Sequence, residues 1–253
     1  MVIKMYQIPQ AEITIVVDNY PHPSKKIGTG WGLSIYVDLS NIGILFDTGP
    51  DPQLLAKNLN MLRIDLGKLK ACVISHTHGD HLGGISHLSK IGQELDVYMP
   101  CNSYYRNFIE RMGLKYKIAP NFEWIYPGVG LSGIIDHGIP EQALVLNIEN
   151  FGLLILVGCS HPGIAEIVER IYEITGISVG GIIGGWHLGG YNPREILSIL
   201  NRLIRFDPKF LMPIHCSGER VREILEMKYP NLYWRGHVGV KIVIDRGGYK
   251  IFE

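Results

Sequence analysis

Six consecutive residues, His76-Thr77-His78-Gly79-Asp80-His81, contain three imidazoles and one carboxylate. Only Ser75 separates them from the preceding apolar run 71–74, which predicts a strand. Imidazole is a good ligand for zinc and iron, and a carboxylate widens the choice of metal. Ligands this dense at the end of a strand could hold two metal ions side by side, and such a pair activates water. We therefore interpret the chain as a metalloenzyme.

Other histidines and carboxylates lie in the same kind of place, which is the end of an apolar run, often beside glycine. Asp47 ends one such run, and His161, His187 and His215 each follow another. In α/β proteins the loops at strand ends converge and collect ligands. The chain has only 10 His, so this recurrence predicts that these residues share one site with the dense cluster.

The segment from Ser75 to Gly84 resembles the H-x-H-x-D-H motif of the metallo-β-lactamase superfamily. The upstream Phe46-Asp47-Thr48-Gly49 and the later histidines follow in that superfamily's order, and the matching segments span residues 33–217. The resemblance implies an α/β protein with an αββα sandwich, in which two mixed sheets are flanked by helices and the metal site lies at one sheet edge. We expect one such domain over residues 1–253.

The resemblance also implies a division of the ligands between two metals. Carried over by position, the first metal takes His76, His78 and His161, and the second takes Asp80, His81 and His215. Alternate residues of an extended chain project to the same side, which is consistent with the first two histidines holding one ion. The expected cofactor is one or two divalent ions, with zinc first and iron, manganese or nickel as alternatives.

Three residues receive roles beside or beyond ligation. We expect Asp47 to orient a ligand histidine rather than bind metal, although a turn cap with Gly49 would also explain it. We assign catalytic roles to Asp80 and His187. His187 could bind metal, donate a hydrogen bond to the substrate or pack beside Trp186.

One position departs from the superfamily's pattern. Many members place a bridging Asp in a Gly-Asp pair after the strand that spans 153–157 here, whereas this chain has Gly158-Cys159. Either His161 takes that place, or the Cys159 thiolate contributes, or one site is weakened. His137 is a further candidate ligand for the first metal and ranks below His161. Because the bridging Asp is missing, the sequence does not decide whether both metal sites are occupied.

A narrower resemblance bears on the reaction. Segments 158–163, 184–188 and 213–218 are similar to the dihydropteroate-synthase-like branch. Its eponymous member joins a dihydropterin to a ribosyl-aminobenzene phosphate, whereas many relatives are metal-dependent hydrolases. We predict a hydrolase that uses a metal-bound hydroxide on an ester, phosphoester or similar bond of a small substrate. A transferase of the synthase type, which releases pyrophosphate, is the alternative.

Other classes rank lower. A nuclease would need a basic groove, and the superfamily's di-iron oxidoreductases carry H-x-E-x-D where this chain has His76 to Asp80. A non-enzymatic zinc site would prefer four closed ligands rich in Cys.

The amino-acid composition indicates which kinds of partner and which cellular compartment to expect. Lys plus Arg and Asp plus Glu each total 24, and this balance does not favour nucleic acid. No secretory signal is visible, and the apolar run 153–157 is far too short to cross a bilayer. The four cysteines form no C-x-x-C pair and are expected to be reduced thiols in the cytoplasm. The expected partner is a small substrate, which could carry phosphate; the oligomeric state is not predicted.

Apolar patterning predicts the elements that position these residues. Predicted strands are 13–17, 33–37, 42–46, 71–74, 97–99, 144–148, 153–157, 177–183, 210–213 and 240–244. Predicted helices are 52–62, 102–111, 164–175, 193–205 and 219–228, of which three have capping residues at Asp51, Asn192 and Ser217. The irregular segment 19–32 should border the site. That segment and 102–133 should shape a pocket, with Tyr104, Tyr105, Arg106 and Trp124 as candidate lining residues.

Overall fold

A computed structural model describes residues 6–91, 95–101 and 104–253. In chain order the strands are β1 (Ala11–Val17), β2 (Ser34–Asp38), β3 (Gly43–Phe46), β4 (Leu69–Val73), β5 (Asp96–Tyr98), β6 (Lys115–Lys117), β7 (Glu123–Tyr126), β8 (Val129–Leu131), β9 (Ile135–Asp136), β10 (Pro140–Glu141), β11 (Leu144–Ile148), β12 (Gly152–Val157), β13 (Val179–Gly185), β14 (Phe210–Ile214), β15 (Lys241–Asp245) and β16 (Gly248–Phe252). The helices are α1 (Pro52–Met61), α2 (Gly79–Leu82), α3 (Arg106–Arg111), α4 (Ile164–Thr175), α5 (Pro193–Ile204) and α6 (Glu219–Lys228). None of the helices in these ranges is long and apolar enough to span a membrane.

The strands form two mixed sheets and one short ribbon. The first sheet has the order β16-β15-β1-β2-β3-β4-β5-β6, and its strands from β3 to β6 run parallel. The second has the order β14-β13-β12-β11-β8-β7, and its strands from β12 to β14 run parallel. Strands β9 and β10 pair as a ribbon. Each sheet therefore has a parallel part whose carboxyl ends supply neighbouring loops.

Both faces of each sheet are buried. In β12, Leu154 and Leu156 pack between the two sheets, whereas Leu153, Ile155 and Val157 pack in the cluster under α4, α5 and α6. Alternate side chains of a strand point to opposite faces, and a strand buried on both faces is apolar throughout. This explains why the run 153–157 shows no polar alternation.

The first sheet has the same arrangement on its own side. In β4, Ala71 and Val73 face the other sheet, whereas Cys72 packs with Leu55 and Leu59 of α1. The layers are therefore helix, sheet, sheet, helix, and the predicted αββα sandwich is confirmed.

All the predicted strands and helices are present; β11, α4 and α6 have the predicted ends, and the others are shifted at one or both ends. The helix predicted over 102–111 is seen from Arg106, and Asn102 and Ser103 lie outside the described residues. The prediction missed β6 to β10 and α2, which have two to four residues each. It also missed β16, whose five residues alternate between exposed and half-buried positions and carry little apolar signal.

Two of the three predicted helix caps are correct. The Asp51 side chain accepts hydrogen bonds from the first turn of α1, and Asn192 forms a capping box with Glu195 at the start of α5. The prediction for Ser217 was wrong, because α6 follows Gly218 and no side chain caps it. The Ser217 hydroxyl instead lies 2.6 Å from the Ile214 carbonyl oxygen, where it closes the turn after β14.

The irregular segment 19–32 is held by one buried side chain. Asn58 of α1 donates to the carbonyl oxygens of Val16 and Gly28, at 2.8 and 2.7 Å, and accepts from the Gly28 N–H at 2.9 Å. Because these groups are buried or partly buried, they would lose hydrogen-bond partners without the amide.

Replacement of Asn58 by Ala should therefore lower the free energy of unfolding by about 2–3 kcal/mol, since it removes the shared partner of three backbone groups. Urea unfolding would measure the change. Asn60→Ala is a matched control, because Asn60 is exposed on the same helix, and it should change stability by no more than about 0.5 kcal/mol. Equal effects of the two variants would contradict this account of the segment.

Candidate metal centre

The loops after β3, β4, β12, β13 and β14 meet at one edge of the sandwich. They bring together all eight of the site residues predicted from the sequence, namely Asp47, His76, His78, Asp80, His81, His161, His187 and His215. The carboxyl ends of parallel strands thus deliver the side chains, as is usual in α/β proteins.

A first group of nitrogen atoms surrounds His76. Its Nε2 lies 3.1 Å from Nδ1 of His78, and its ring centre lies 4.6 Å from that of His161. The ligand atoms of His76, His161 and Cys159 all lie within 4.8 Å of one another. The three imidazole rings therefore lie together, with centres 4.6–5.0 Å apart.

A second group surrounds His81. Its Nε2 lies 3.2 Å from Nε2 of His215. The Asp80 Oδ2 atom lies 3.4 Å from the same His215 nitrogen and 3.7 Å from that of His81. In a tetrahedral zinc site with bonds of about 2.0–2.1 Å, neighbouring ligand atoms are about 3.3 Å apart. The separations in both groups are close to that value.

The outer nitrogen of each buried or half-buried histidine faces an oxygen. The pairs are His76 Nδ1 with Ser75 Oγ at 2.9 Å, His81 Nδ1 with Asp47 Oδ2 at 2.7 Å, His161 Nδ1 with Glu141 Oε2 at 2.9 Å, and His215 Nδ1 with Asn19 Oδ1 at 3.0 Å. An oxygen acceptor at Nδ1 favours the proton there and leaves the lone pair on Nε2. This donor set fits a divalent metal.

The protonation states of His76, His81 and Asp80 are those that metal binding requires. Burial lowers the pKa of His76 to about 2 and that of His81 to about 3, so both rings are neutral at physiological pH. Burial raises the pKa of Asp80, but its hydrogen bond with His215 and the charge of His81 bring that pKa below its usual range. Neutral imidazole and ionised carboxylate are the forms that bind metal.

Asp47 connects three parts of the site. Its Oδ1 accepts from the Ser75 N–H at 2.7 Å, and its Oδ2 accepts from the Ser75 hydroxyl at 2.7 Å and faces His81. Burial raises the pKa of this carboxyl well above its usual range, although the bonds from Ser75 oppose the change. The Gly49 N–H donates to the Leu33 carbonyl instead, so the alternative of a turn cap with Gly49 has no contact to support it.

Glu141 is a site residue that sequence reasoning missed. Its carboxylate is buried on β10 and accepts from the N–H groups of Ser160 and His161, both at 2.8 Å, as well as facing the His161 ring. Burial raises its pKa, but the hydrogen bonds from His161 and the charge of His76 lower it to about 2. A Glu two residues before the apolar run 143–148 was the only sequence signal.

Asp18 and Asn19 were also missed, and both hold His215. The Asp18 Oδ1 atom accepts from the His215 N–H at 2.9 Å, and the Asn19 amide donates to the His215 carbonyl oxygen at 3.2 Å. Nearby, the Trp31 ring lies 5.3 Å from the His215 ring and is 62% exposed. The segment 19–32 therefore borders the site, as expected.

Four non-glycine residues of the site have left-handed backbone conformations. The φ angles are 59° at Asp47, 61° at Ser160, 50° at His187 and 51° at His215. Each follows the end of a strand, and each costs about 1–2 kcal/mol relative to the right-handed conformation. Strain of this kind is concentrated at functional sites, where the surrounding structure enforces it.

The two remaining histidine candidates differ in placement. His187 is exposed, its ring lies 4.9 Å from that of His161, and its ligand atom lies within 4.8 Å of the sulfurs of Cys159 and Cys216. His137 is exposed and its Nε2 lies 3.2 Å from a carboxylate oxygen of Glu166 on α4. The geometry therefore favours His161 over His137 as a ligand.

A cavity of about 700 Å³ opens beside the loop that carries the dense cluster. Thr77 and Gly79 line it on the side of that loop, Tyr104, Tyr105 and Phe108 supply aromatic surface, and Arg111 supplies a positive charge. Two of the four predicted lining residues are therefore present.

The other two predicted lining residues pack elsewhere. The Arg106 guanidinium lies over the Tyr116 ring, 4.7 Å from its centre. Trp124 stacks edge-to-face against Phe122. Both side chains use their planar surfaces within the fold rather than in the cavity.

The chain is similar in sequence and in fold to known metal-dependent enzymes. The family model for the beta-lactamase superfamily domain matches residues 43–119. The 7,8-dihydropterin-6-methyl-4-(beta-D-ribofuranosyl)-aminobenzene-5'-phosphate synthase of Methanocaldococcus jannaschii is 23% identical, and the match covers 94% of this chain and 98% of that protein.

Two solved structures show the same fold. Tm1679, described as a metal-dependent hydrolase of the beta-lactamase superfamily, superposes with a TM-score of 0.76 at 23% identity, covering 91% of this chain and 98% of its own. A diphosphatase of the PhnP family superposes with a TM-score of 0.62 at 14% identity, covering 92% and 97%. The matching family model, the shared fold and the histidine motif confirm the resemblance to the metallo-β-lactamase superfamily and to its dihydropteroate-synthase-like branch.

Proposed function

We propose that the chain is a metal-dependent hydrolase that acts on an ester, phosphoester or similar bond of a small substrate. One or two divalent ions, with zinc foremost, would be held by His76, His78 and His161 and by Asp80, His81 and His215. The observation that carries the proposal is the spacing of the inner nitrogen atoms, 3.1 and 3.2 Å in the two groups, with an oxygen partner on each outer nitrogen of four of these rings.

A divalent ion held by these residues would supply Lewis-acid chemistry, namely activation of water and stabilisation of negative charge on a reacting oxygen. The protein's own groups have separate tasks. Glu141, Asp47, Ser75 and Asn19 fix the ring orientations. Asp80 is half-buried beside the second group and can accept a proton there, and the exposed His187 can donate a hydrogen bond to a substrate oxygen.

The cavity and the charge balance support a small substrate. The cavity beside the Thr77 and Gly79 loop has a volume of about 700 Å³, which suits a small organic molecule. Arg111 at its wall would attract an anionic group such as phosphate. The zero formal net charge gives no general attraction for nucleic acid. The four free thiols fit a reducing compartment such as the cytoplasm.

A transferase of the synthase type is the second candidate. It is supported by the similarity to the Methanocaldococcus jannaschii synthase over nearly the full length of both chains. Departure of a diphosphate needs the same stabilisation of negative charge as hydrolysis of a phosphoester, so one metal centre could serve either reaction.

Protein purified without chelator should contain a divalent metal, and the double variant His76→Ala, His78→Ala should contain much less, because two of three imidazoles of the first group are gone. Elemental analysis measures both. His137→Ala is the control, since His137 is an exposed histidine paired with Glu166, and it should keep the wild-type content. If the wild-type protein contained negligible metal, and the double variant contained the same amount, the proposal would be wrong.

Glu141→Gln should weaken metal binding about 10–100-fold, because it removes the negative charge that orients His161 from outside the ligand set. Competition with a chromogenic chelator measures the affinity. Glu166→Gln is a matched control on an exposed carboxylate that faces His137 instead. An affinity of the Glu141 variant equal to that of wild type would show that this carboxylate does not support the site.

The two reactions are separable by their products. A hydrolase should cleave bis(p-nitrophenyl) phosphate or a simple p-nitrophenyl ester, and the rate should fall by at least about 100-fold in the double variant, because metal catalysis supplies several kcal/mol. A transferase should release pyrophosphate only when a dihydropterin diphosphate and a ribosyl-aminobenzene phosphate are both present. Pyrophosphate release without chromogenic cleavage would reverse the order of the two candidates.

A further inference from the structure

A positive charge is buried on α6, away from the metal ligands. Arg222 is 2% exposed, and within the described ranges it is the only lysine or arginine that is buried. A buried guanidinium is unfavourable unless neighbouring groups compensate its charge and accept from its N–H donors. The groups around this side chain therefore show which part of the molecule it stabilises.

Three groups surround the guanidinium. Its Nε lies 3.2 Å from the hydroxyl oxygen of Tyr233, and its Nη2 donates to the Gly236 carbonyl oxygen at 3.1 Å. Its central carbon lies 3.6 Å from the centre of the Tyr20 ring, so the planar cation is stacked on an aromatic face, which attracts it. The Glu219 carboxylate is 3.9 Å from Nε but is exposed, so solvent screens its charge. The guanidinium thus joins α6 to the segment that borders the site.

The two residues before Tyr20 hold a predicted metal ligand. Asp18 and Asn19 bond the backbone of His215, and the Asn19 Oδ1 atom faces the ring Nδ1 at 3.0 Å. Asp18 is fully buried, yet its Oδ2 has no hydrogen-bond partner among the described residues, and the same is true of Nη1 of Arg222. Burial raises the pKa of the Asp18 carboxyl to about 7, whereas the charges of His215 and Arg222 lower it. The buried cation and the buried carboxyl therefore act on each other.

We propose that Arg222 is a positioning residue of the metal centre. Its guanidinium holds Tyr20 by stacking and Asp18 by charge, and the segment that contains both fixes the backbone and the ring of His215. Without the guanidinium, the buried Asp18 carboxyl would lose its compensating charge, and the segment would lose the contact that ties it to α6. The proposal rests on the proposed function only insofar as His215 is a metal ligand.

The two histidine groups differ in this dependence. In the first group, the His76 ring faces the Ser75 hydroxyl. The His161 ring faces the Glu141 carboxylate. The guanidinium takes no part in either contact, so its loss should weaken metal binding by the second group and leave the first group unchanged.

Zinc titration against a chromogenic chelator tests this difference. Arg222→Met removes the charge and the donors but keeps the length of the side chain. The equivalent of zinc that is lost in His215→Ala should bind about tenfold more weakly in Arg222→Met, which is the lower end of the loss expected for an outer partner. Arg222→Lys keeps the charge without the planar face and should lose less. Arg220→Met is the matched control, because Arg220 is exposed on the same helix, and it should bind zinc as the wild type does.

The ring of His215 gives a second readout that needs no metal. Its contact with Asn19 Oδ1 favours the proton on Nδ1, and long-range ¹H–¹⁵N NMR distinguishes the two tautomers at alkaline pH, where imidazole is neutral. The metal-free wild type should show the Nδ1-protonated form, assigned by its loss in His215→Ala. Arg222→Met should show a mixture of both forms, because the ring loses its fixed partner. If Arg222→Met does not fold, Arg222→Lys and Tyr20→Leu provide the same measurement.

The outcomes separate this proposal from the proposed function. A His215 tautomer that stays fixed in Arg222→Met would overturn the positioning role, whether or not zinc binding changes, and would leave the metal centre standing. Equal weakening of all bound zinc would indicate general destabilisation and would also overturn it. If the wild type bound no zinc while the tautomer still depended on Arg222, the proposed function would fail and the positioning role would stand.

Discussion

The central physical constraint is that imidazole nitrogens must face one another at about 3 Å in a largely buried site. Neutral rings would turn away or pair with other groups unless their outer nitrogens were fixed. Buried oxygen atoms provide this restraint, and the carboxylates of Asp47 and Glu141 are the strongest cases. The rest of the structure can be understood as the support that keeps those oxygens in place.

That support comes from the sandwich. The parallel strands of both sheets end at the same edge, so residues far apart in the chain, such as Asp47, His161 and His215, arrive together. The apolar layer between the sheets and the layers under the helices fix the strand ends. A rigid frame of this kind can impose left-handed backbone conformations at four positions of the site, each of which is unfavourable on its own.

The oxygen atoms that face the outer nitrogens also bear on position 159, where this chain has Cys and many members of the superfamily have Asp. The histidines are oriented independently of residue 159, by Ser75, Asp47, Glu141 and Asn19. The ring orientations therefore do not depend on which side chain stands at position 159.

The sequence alone determined the fold class and most of the candidate ligands. The dense cluster of His76 to His81 is local, so its spacing is visible without a structure, and the strands buried on both faces are visible as continuous apolar runs. The short strands β6 to β10 were not visible, because two to four residues carry little periodic signal.

Only the tertiary structure decided which oxygen supports which ring. Glu141 contacts a histidine 20 positions later, and Asn19 contacts one 196 positions later. No local pattern records such a pairing, because it depends on how the two sheets pack. The place of Cys159 among three groups was decided in the same way: the sequence gives its neighbours in the chain, whereas the packing of β12 beside β13 and opposite β4 gives its neighbours in space.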